Sequence, residues 1–269
     1  MRSSISLWSL PRSLNEWEDI AVGTDLDYSH YYRIYHQDDP EHTAMMVRYH
    51  DRQLAPYLPA NRSLRVLDIG CGMGFAMRSL MQAGFKEVEG IDVDRSQAEF
   101  CISKGLKVAL VADTTQFLEA HPARFDLVTM LDVLEHIPVD NQVPLLKSLL
   151  KALTPGSKVI IQVPNANSPV SSRWRYNDFT HHASFTENSI RFVLANAGFV
   201  NIHVPGAGRL GRPPAKLWTS AARYGLRRWL VNWWWRQVLQ AEVPGLDPSS
   251  IPLGLNLMAI AETPQQVPV

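Results

Sequence analysis

Asp132, Glu135 and His136 stand close enough to share one face of a helical turn, and a later segment crowds together Arg173, Trp174, Arg175, Tyr176, Asp178, His181 and His182. If His181 or His182 meets His136, carboxylates and imidazoles converge in a set that suits a divalent metal such as Mg²⁺. A metal there would hold an acceptor oxygen and lower the pKa of its hydroxyl. Without one, His136, His181 or His182 could act as general base with a carboxylate orienting it. The plainer alternative is that Asp132 caps a turn, Glu135 is solvated and His136 packs beside a bound cofactor.

A second constellation concerns that cofactor. Val66 to Gly74 reads Val-Leu-Asp-Ile-Gly-Cys-Gly-Met-Gly. A strand that ends in Gly70, Cys71, Gly72 and Gly74 and enters a helix brings backbone N–H groups and a helix N-terminus against a ligand. A dinucleotide pattern would need a glycine where Phe75 stands. Asp68 ahead of the turn would repel a pyrophosphate but can accept hydrogen bonds from an amino-acid ammonium group, which favours S-adenosyl-L-methionine. Asp92 closes the next strand, about 20 residues on, where an acid meets ribose hydroxyls. Asp113 closes the third and can accept an adenine amino group. Val93, Thr114 and Leu131, beside these acids and at the end of the fourth strand, complete the expected cofactor contacts. For each acid alone the rival reading is a solvated helix cap.

Those positions need a scaffold, and after Asn61 short β-rich runs alternate with helical stretches, the pattern of a parallel α/β sheet. Strands are expected near 64–69, 87–92, 107–112, 125–131 and 158–163, with helices near 74–83, 95–104, 115–120 and 141–152. Pro155-Gly156 reads as the turn into the fifth strand. A helix from Thr186 to Ala197, capped by Gly198, leads to a sixth strand at Phe199–Val204, and a seventh is expected at Asn256–Ala261. Residues 1–24 read as a loose arm, and a helical cap from Glu41 toward Leu54 is ended by Pro56 and Pro59. The domain reading is 1–60 for arm and cap and 61–269 for the catalytic domain, with a helical insertion at 206–252.

Over roughly residues 61 to 204 the chain resembles the class I S-adenosylmethionine-dependent methyltransferases. The matching stretches are Val66 to Gly74, Gly90 to Asp94, Phe125 to Ile137 and Leu153 to Pro164. The resemblance implies a Rossmann-like α/β fold with a seven-stranded, mostly parallel sheet, an antiparallel last strand, and a methyl donor across the C-terminal strand ends. Asp132-x-x-Glu135-His136 with the later Thr180-His181 is similar to the metal-assisted O-methyltransferases of ubiquinone biosynthesis and of small-RNA 3′ ends. That likeness would place metal ligands at Asp132, Glu135, His136 and His181, with His182 as rival for the last. Asp132 departs from those families, which more often carry Glu there. Tyr176 to Thr186, followed by a helix and Ala197-Gly198-Phe199, is similar to methyltransferases of bacterial surface-polysaccharide synthesis, whose acceptors are sugar hydroxyls.

The insertion holds five of the eight tryptophans, Trp218, Trp229, Trp233, Trp234 and Trp235, among Arg223, Arg227, Arg228 and Arg236. Ala222, Leu226, Leu230, Trp233, Trp234 and Val238 recur near helical spacing. Such a helix packs on the domain or a partner subunit, or rests on a membrane interface through Leu217–Gln240. Lys plus Arg and Asp plus Glu number 26 each, so no overall field draws nucleic acid, which also counts against an RNA substrate. Two cysteines and no apolar leader point to the cytoplasm, at the inner face of the membrane if the helix binds there. The expected partners are a glycan or small-molecule acceptor and a homo-oligomeric copy. The favoured function is O-methylation of a sugar hydroxyl, with a quinone precursor as runner-up and a non-catalytic cofactor-binding subunit as the alternative from another class.

Overall fold

The computed structural model describes residues 38–206, 220–243, 245 and 247–265. The arm at 1–24, the segment up to residue 37 and Trp218 lie outside the described residues.

Helix α1 (Pro40–Leu54) starts with Asp39 accepting from His42 N at 2.8 Å and runs into a short 3₁₀ turn at Ala55–Tyr57. Five strands then alternate with helices: β1 (Arg65–Ile69), α2 (Phe75–Gln82), β2 (Glu87–Asp92), α3 (Arg95–Ser103), β3 (Val108–Leu110), α4 (Thr114–Glu119), β4 (Phe125–Leu131), α5 (Val139–Ala152) and β5 (Leu153–Pro164). After these come α6 (Ser171–Asn177), α7 (Glu187–Ala197), β6 (Val200–His203), α8 (Ser220–Glu242) and β7 (Asn256–Glu262). The sheet order is β3-β2-β1-β4-β5-β7-β6, with β7 antiparallel between β5 and β6. This is the expected seven-stranded sheet.

The central strands are apolar on both faces because helices cover both. Val66, Leu127 and Ile160 pack with Leu54, Met77 and Leu80 on one side. Their neighbours Leu67, Val128 and Ile161 pack with Leu146, Leu149, Ile190 and Leu194 on the other. Alternating side chains thus anchor two helical layers, and the sheet's C-terminal edge is left to carry polar groups.

One local reading changes, and α8 is oriented by particular side chains. Pro155-Gly156 does not precede the fifth strand but lies inside it: Phe125 pairs with Leu153 and Leu127 with Lys158, so β5 bulges between them, with Gly156 at φ 74°. In the stripe read from helical spacing on α8, Ala222, Leu226 and Val238 are half-buried and the larger side chains face outward. Leu230, Trp233 and Trp234 are about half exposed, whereas Arg236 is buried with its Nη1 bonded to Pro248 O, and Trp235 Nε1 donates to Asn167 O at 2.9 Å. Hydrogen bonds from the neighbouring residues, rather than the apolar stripe, fix which way the helix turns.

Candidate active site

The residues expected to meet the donor stand at the ends of β1, β2 and β3. Gly70 and Gly74 adopt φ of 65° and 74°, and a Cβ at Gly70 would stand 2.4 Å from Val133 Cγ2. Only glycine lets the chain turn here. Gly72 N donates to Asp92 Oδ2 at 2.8 Å and Asp94 N to Oδ1 at 2.9 Å, so Asp92 braces the turn while keeping a second lone pair on each oxygen. Burial pushes its carboxyl up to about 6 against those two hydrogen bonds.

Asp68 lies beneath the turn, 2% exposed. Its Oδ1 accepts from Thr129 Oγ1 at 2.6 Å, while Oδ2 is buried without a partner. Burial raises it to about 7, with Thr129 opposing and the Asp92 charge adding. A buried acceptor with no donor fits a ligand that brings one. Asp113 is exposed and takes the cap role, accepting from Thr115 N at 2.7 Å to start α4. Val93, Thr114 and Leu131 stand half-buried along the same edge. Cys71 and Cys101 are both free and buried, with Cys101 Sγ donating to Gly72 O at 3.1 Å. The Cys101 contact and burial together push the Cys71 thiol up.

Beyond β4 the chain makes a 3₁₀ turn at Leu134–His136, and the stretch after α6 folds back on it through His182 N donating to Glu135 O at 2.7 Å. Glu135, His136 and His181 thereby converge, each offering a ligand atom within 4.8 Å of the others. Glu135 is 1% exposed, and neither of its oxygens has a partner. Burial, the Asp132 charge and the Asp178 charge push it well above the usual carboxylate range. The His136 and His181 rings meet edge to face, centroids 4.7 Å apart.

A hydrogen-bond relay sets the His136 tautomer. Asp178 Oδ1 accepts from Thr180 N at 2.8 Å and from Thr180 Oγ1 at 2.6 Å, and Thr180 Oγ1 lies 2.7 Å from His136 Nδ1. Burial favours a neutral Asp178, but the Thr180 bonds and the two histidines hold it below its ordinary value, so it is an acceptor only. The single hydroxyl proton of Thr180 goes to that carboxylate. His136 therefore carries its proton on Nδ1 and its lone pair on Nε2. Burial, with His181 adding, pushes His136 down to about 4, so the ring is neutral at pH 7.

Two expected ligands do not join this set. Asp132 is exposed, at φ 55°, and its Oδ2 accepts from Gln162 Nε2 at 2.7 Å. Gln162 of β5 holds its carboxylate, which acts on Glu135 by its charge without joining the three converging ligand atoms. His182 is exposed, and only its backbone meets Glu135.

Sequence reasoning missed Tyr49, Gln162 and Asn256, and named Thr180 only as the neighbour of His181. The Tyr49 hydroxyl sits beside the side chains of Gln162 and Asn256; burial and the Asp132 charge raise it, and both amides oppose. One signal was present: Gln162 is the single polar residue in Val159–Val163 and is 2% exposed.

A family described as a methyltransferase domain matches residues 38–204. The chain belongs to that methyltransferase domain family. Relatives include the ubiquinone biosynthesis O-methyltransferases of Proteus mirabilis and Vibrio cholerae, each 32% identical over 108 residues, covering 38% of this chain and 43% of the relative. The chain thus spans under half the length of the curated relatives it matches. Among solved structures, a SAM-dependent methyltransferase from Archaeoglobus fulgidus superposes with TM-score 0.61 at 22% identity, over 88% of this chain and 99% of that one. Phosphoethanolamine N-methyltransferase 2 of Haemonchus contortus with S-adenosyl-L-methionine gives 0.55 at 19% identity, over 94% and 60%. These establish the fold of this methyltransferase as the class I S-adenosylmethionine-dependent one.

Proposed function

We propose that this methyltransferase transfers a methyl group from S-adenosyl-L-methionine to a hydroxyl of a small acceptor. The observation that carries the O-methylation reading is the buried convergence of Glu135, His136 and His181 beyond the end of β4. The donor, when bound, supplies an electrophilic methyl group on a sulfonium. Asp68 would accept from its ammonium group, Asp92 from the ribose hydroxyls and Asp113 from the adenine amino group, while the Gly70–Gly74 turn allows close approach.

The acceptor hydroxyl must lose its proton. A His136 base at about 4 is poorly matched to a hydroxyl whose pKa lies at about 10 or above. Its neutral form is instead the one that ligates a metal, and the unpartnered Glu135 oxygens match a cation's demand for carboxylate. Glu135, His136 and His181 would hold Mg²⁺ or another divalent cation, which would lower the hydroxyl's pKa. The names of the curated relatives put the phenolic hydroxyl of a quinone precursor ahead of the sugar hydroxyl that Tyr176 to Thr186 pointed to.

A lipid-linked precursor would be met at a membrane face. No helix among the described residues is long and apolar enough to cross a membrane. Exposed Tyr176 and Phe179, Trp233 and Trp234, with Arg223, Arg227 and Arg228, would rest on the inner, cytoplasmic leaflet.

The test is methyl transfer from labelled donor to a prenylated phenol and to a glycan acceptor, in EDTA and after Mg²⁺ or Mn²⁺ is restored. Transfer to the phenol that needs the cation is expected. Donor binding without transfer to any hydroxyl would reject O-methylation, and full activity in EDTA would reject the cation.

A further inference from the structure

Asp132 lies close enough to Glu135 for its charge to act there, but its hydrogen-bond partners come from a different set of residues. Gln162, near the end of β5, is 2% exposed and donates through Nε2 to Asp132 Oδ2 at 2.7 Å, while its carbonyl accepts from Asp132 N at 3.0 Å. One buried residue thus holds both the backbone and the side chain of Asp132. A non-glycine residue at φ 55° needs such support, and strain of this kind gathers where a side chain must be aimed. On the neighbouring β7, Asn256 accepts from Trp174 Nε1 of α6 at 3.0 Å. The Tyr49 hydroxyl of α1 reaches the same Asn256 and Gln162. The N-terminal helix and α6 therefore meet over β5 and β7, the half of the sheet edge away from the β1–β3 donor residues.

We propose that Asp132 and Tyr49, aimed by Gln162 and Asn256, form a recognition subsite for a second hydroxyl of the acceptor, beside the one that is methylated. The inference rests on the O-methyltransferase reading. Asp132 and Tyr49 are both solvent-accessible, whereas Gln162 is buried and Asn256 half-buried. Asp132 accepts hydrogen bonds, so it calls for a donor on the acceptor molecule. The Tyr49 hydroxyl donates to the oxygen of that same group. This gives Asp132 a binding role in place of the metal-ligand role that its position in Asp-x-x-Glu-His implied.

The experiment compares two aromatic acceptors identical but for one hydroxyl next to the reactive one, with wild-type chain, Asp132→Asn and Tyr49→Phe. Asn tolerates positive φ, and Phe keeps the ring, so both variants preserve the local fold. The wild type should prefer the dihydroxy acceptor in kcat/KM. Asp132→Asn should cut that preference by about ten- to a hundred-fold, the span of a hydrogen bond to a charged group, and Tyr49→Phe by a smaller factor. The change should fall in acceptor KM, with donor Kd unmoved. A preference left intact in both variants, or a loss confined to donor affinity, overturns the subsite. If wild type methylates neither compound, the O-methylation reading is what fails. Equilibrium binding of the same pair then decides the subsite, and Asp132→Asn must erase the wild-type preference.

Discussion

Thr180 Oγ1 stands 2.7 Å from His136 Nδ1 and donates its hydroxyl hydrogen bond to Asp178 Oδ1, 2.6 Å away. This contact fixes which imidazole nitrogen carries the proton, as carboxylate partners do for metal-binding histidines. Thr180→Val keeps the shape of the side chain and removes the relay. We expect activity or cation affinity to fall by about 10- to 100-fold. Thr180→Ser should restore most of it. A Thr180→Val variant with wild-type kinetics would show that packing alone orients His136.

Asp68 is expected to make donor binding pH-dependent. Burial raises its carboxyl to about 7, and an ammonium group beside it favours the ionised form. Donor binding below that pH must expel a proton, so affinity should rise with pH toward about 7 and level off above. Calorimetry in buffers of different protonation enthalpy reads the released proton, and Asp68→Asn should flatten the profile. The same shift bears on stability. A folded value above the unfolded value of about 3.9 contributes stability that is full below pH ~4 and lost as pH rises through about 7. Asp68→Asn should therefore raise the donor-free Tm more at neutral pH than in acid. A donor affinity that is flat with pH in wild type would remove Asp68 from the ammonium site.

The strands and the acids placed at their ends were legible because their signals are local. β-branched runs such as Val159–Val163 and the glycine turn after Ile69 carry their own geometry, and acids at strand ends follow from the parallel topology. Asp113 shows the limit, since the same residue serves as a cap. The acceptor half was harder because its partners come from distant elements. Nothing around Tyr49 in α1 announces Gln162 or Asn256, and nothing around Asp132 announces that Gln162 holds its carboxylate. The Asp178-x-Thr180 turn was visible in the text, but its meaning depends on His136 lying across from it. For α8, the apolar positions indicated a helix without showing that Trp235 and Arg236 would be its anchored side.

Glu135 is a stability cost kept at the site. Its carboxyl is 1% exposed with both oxygens unpartnered, and burial pushes it well above its ordinary range. Glu135→Leu removes the unsatisfied group at similar size. In EDTA, this variant should be more stable than wild type by about 1–3 kcal/mol, the penalty of a buried group without a partner. It should also lose Mn²⁺ binding, read by paramagnetic relaxation. Denaturant unfolding checks the first expectation. A Glu135→Leu variant less stable than the cation-free wild type would mean that the carboxyl finds partners in solution.

The turn between β1 and α2 gives the sharpest steric prediction. Gly74 has φ 74°, and a Cβ there would come within 2.2 Å of Leu106 Cδ1 and 3.1 Å of Cys101 Sγ, both buried side chains. Gly105 has a similar φ of 78°, but a Cβ there would meet nothing within 4 Å, so it separates backbone strain from crowding. Gly105→Ala should cost only about 1 kcal/mol, for the left-handed conformation. Gly74→Ala should cost about 2–4 kcal/mol, because strain and overpacking add. Since Gly74 is also the N-cap of α2, its displacement should weaken donor binding as well. The two variants are compared by thermal unfolding and donor titration. Equal losses of stability, or donor affinity untouched by Gly74→Ala, would mean that Leu106 yields and the turn keeps its place.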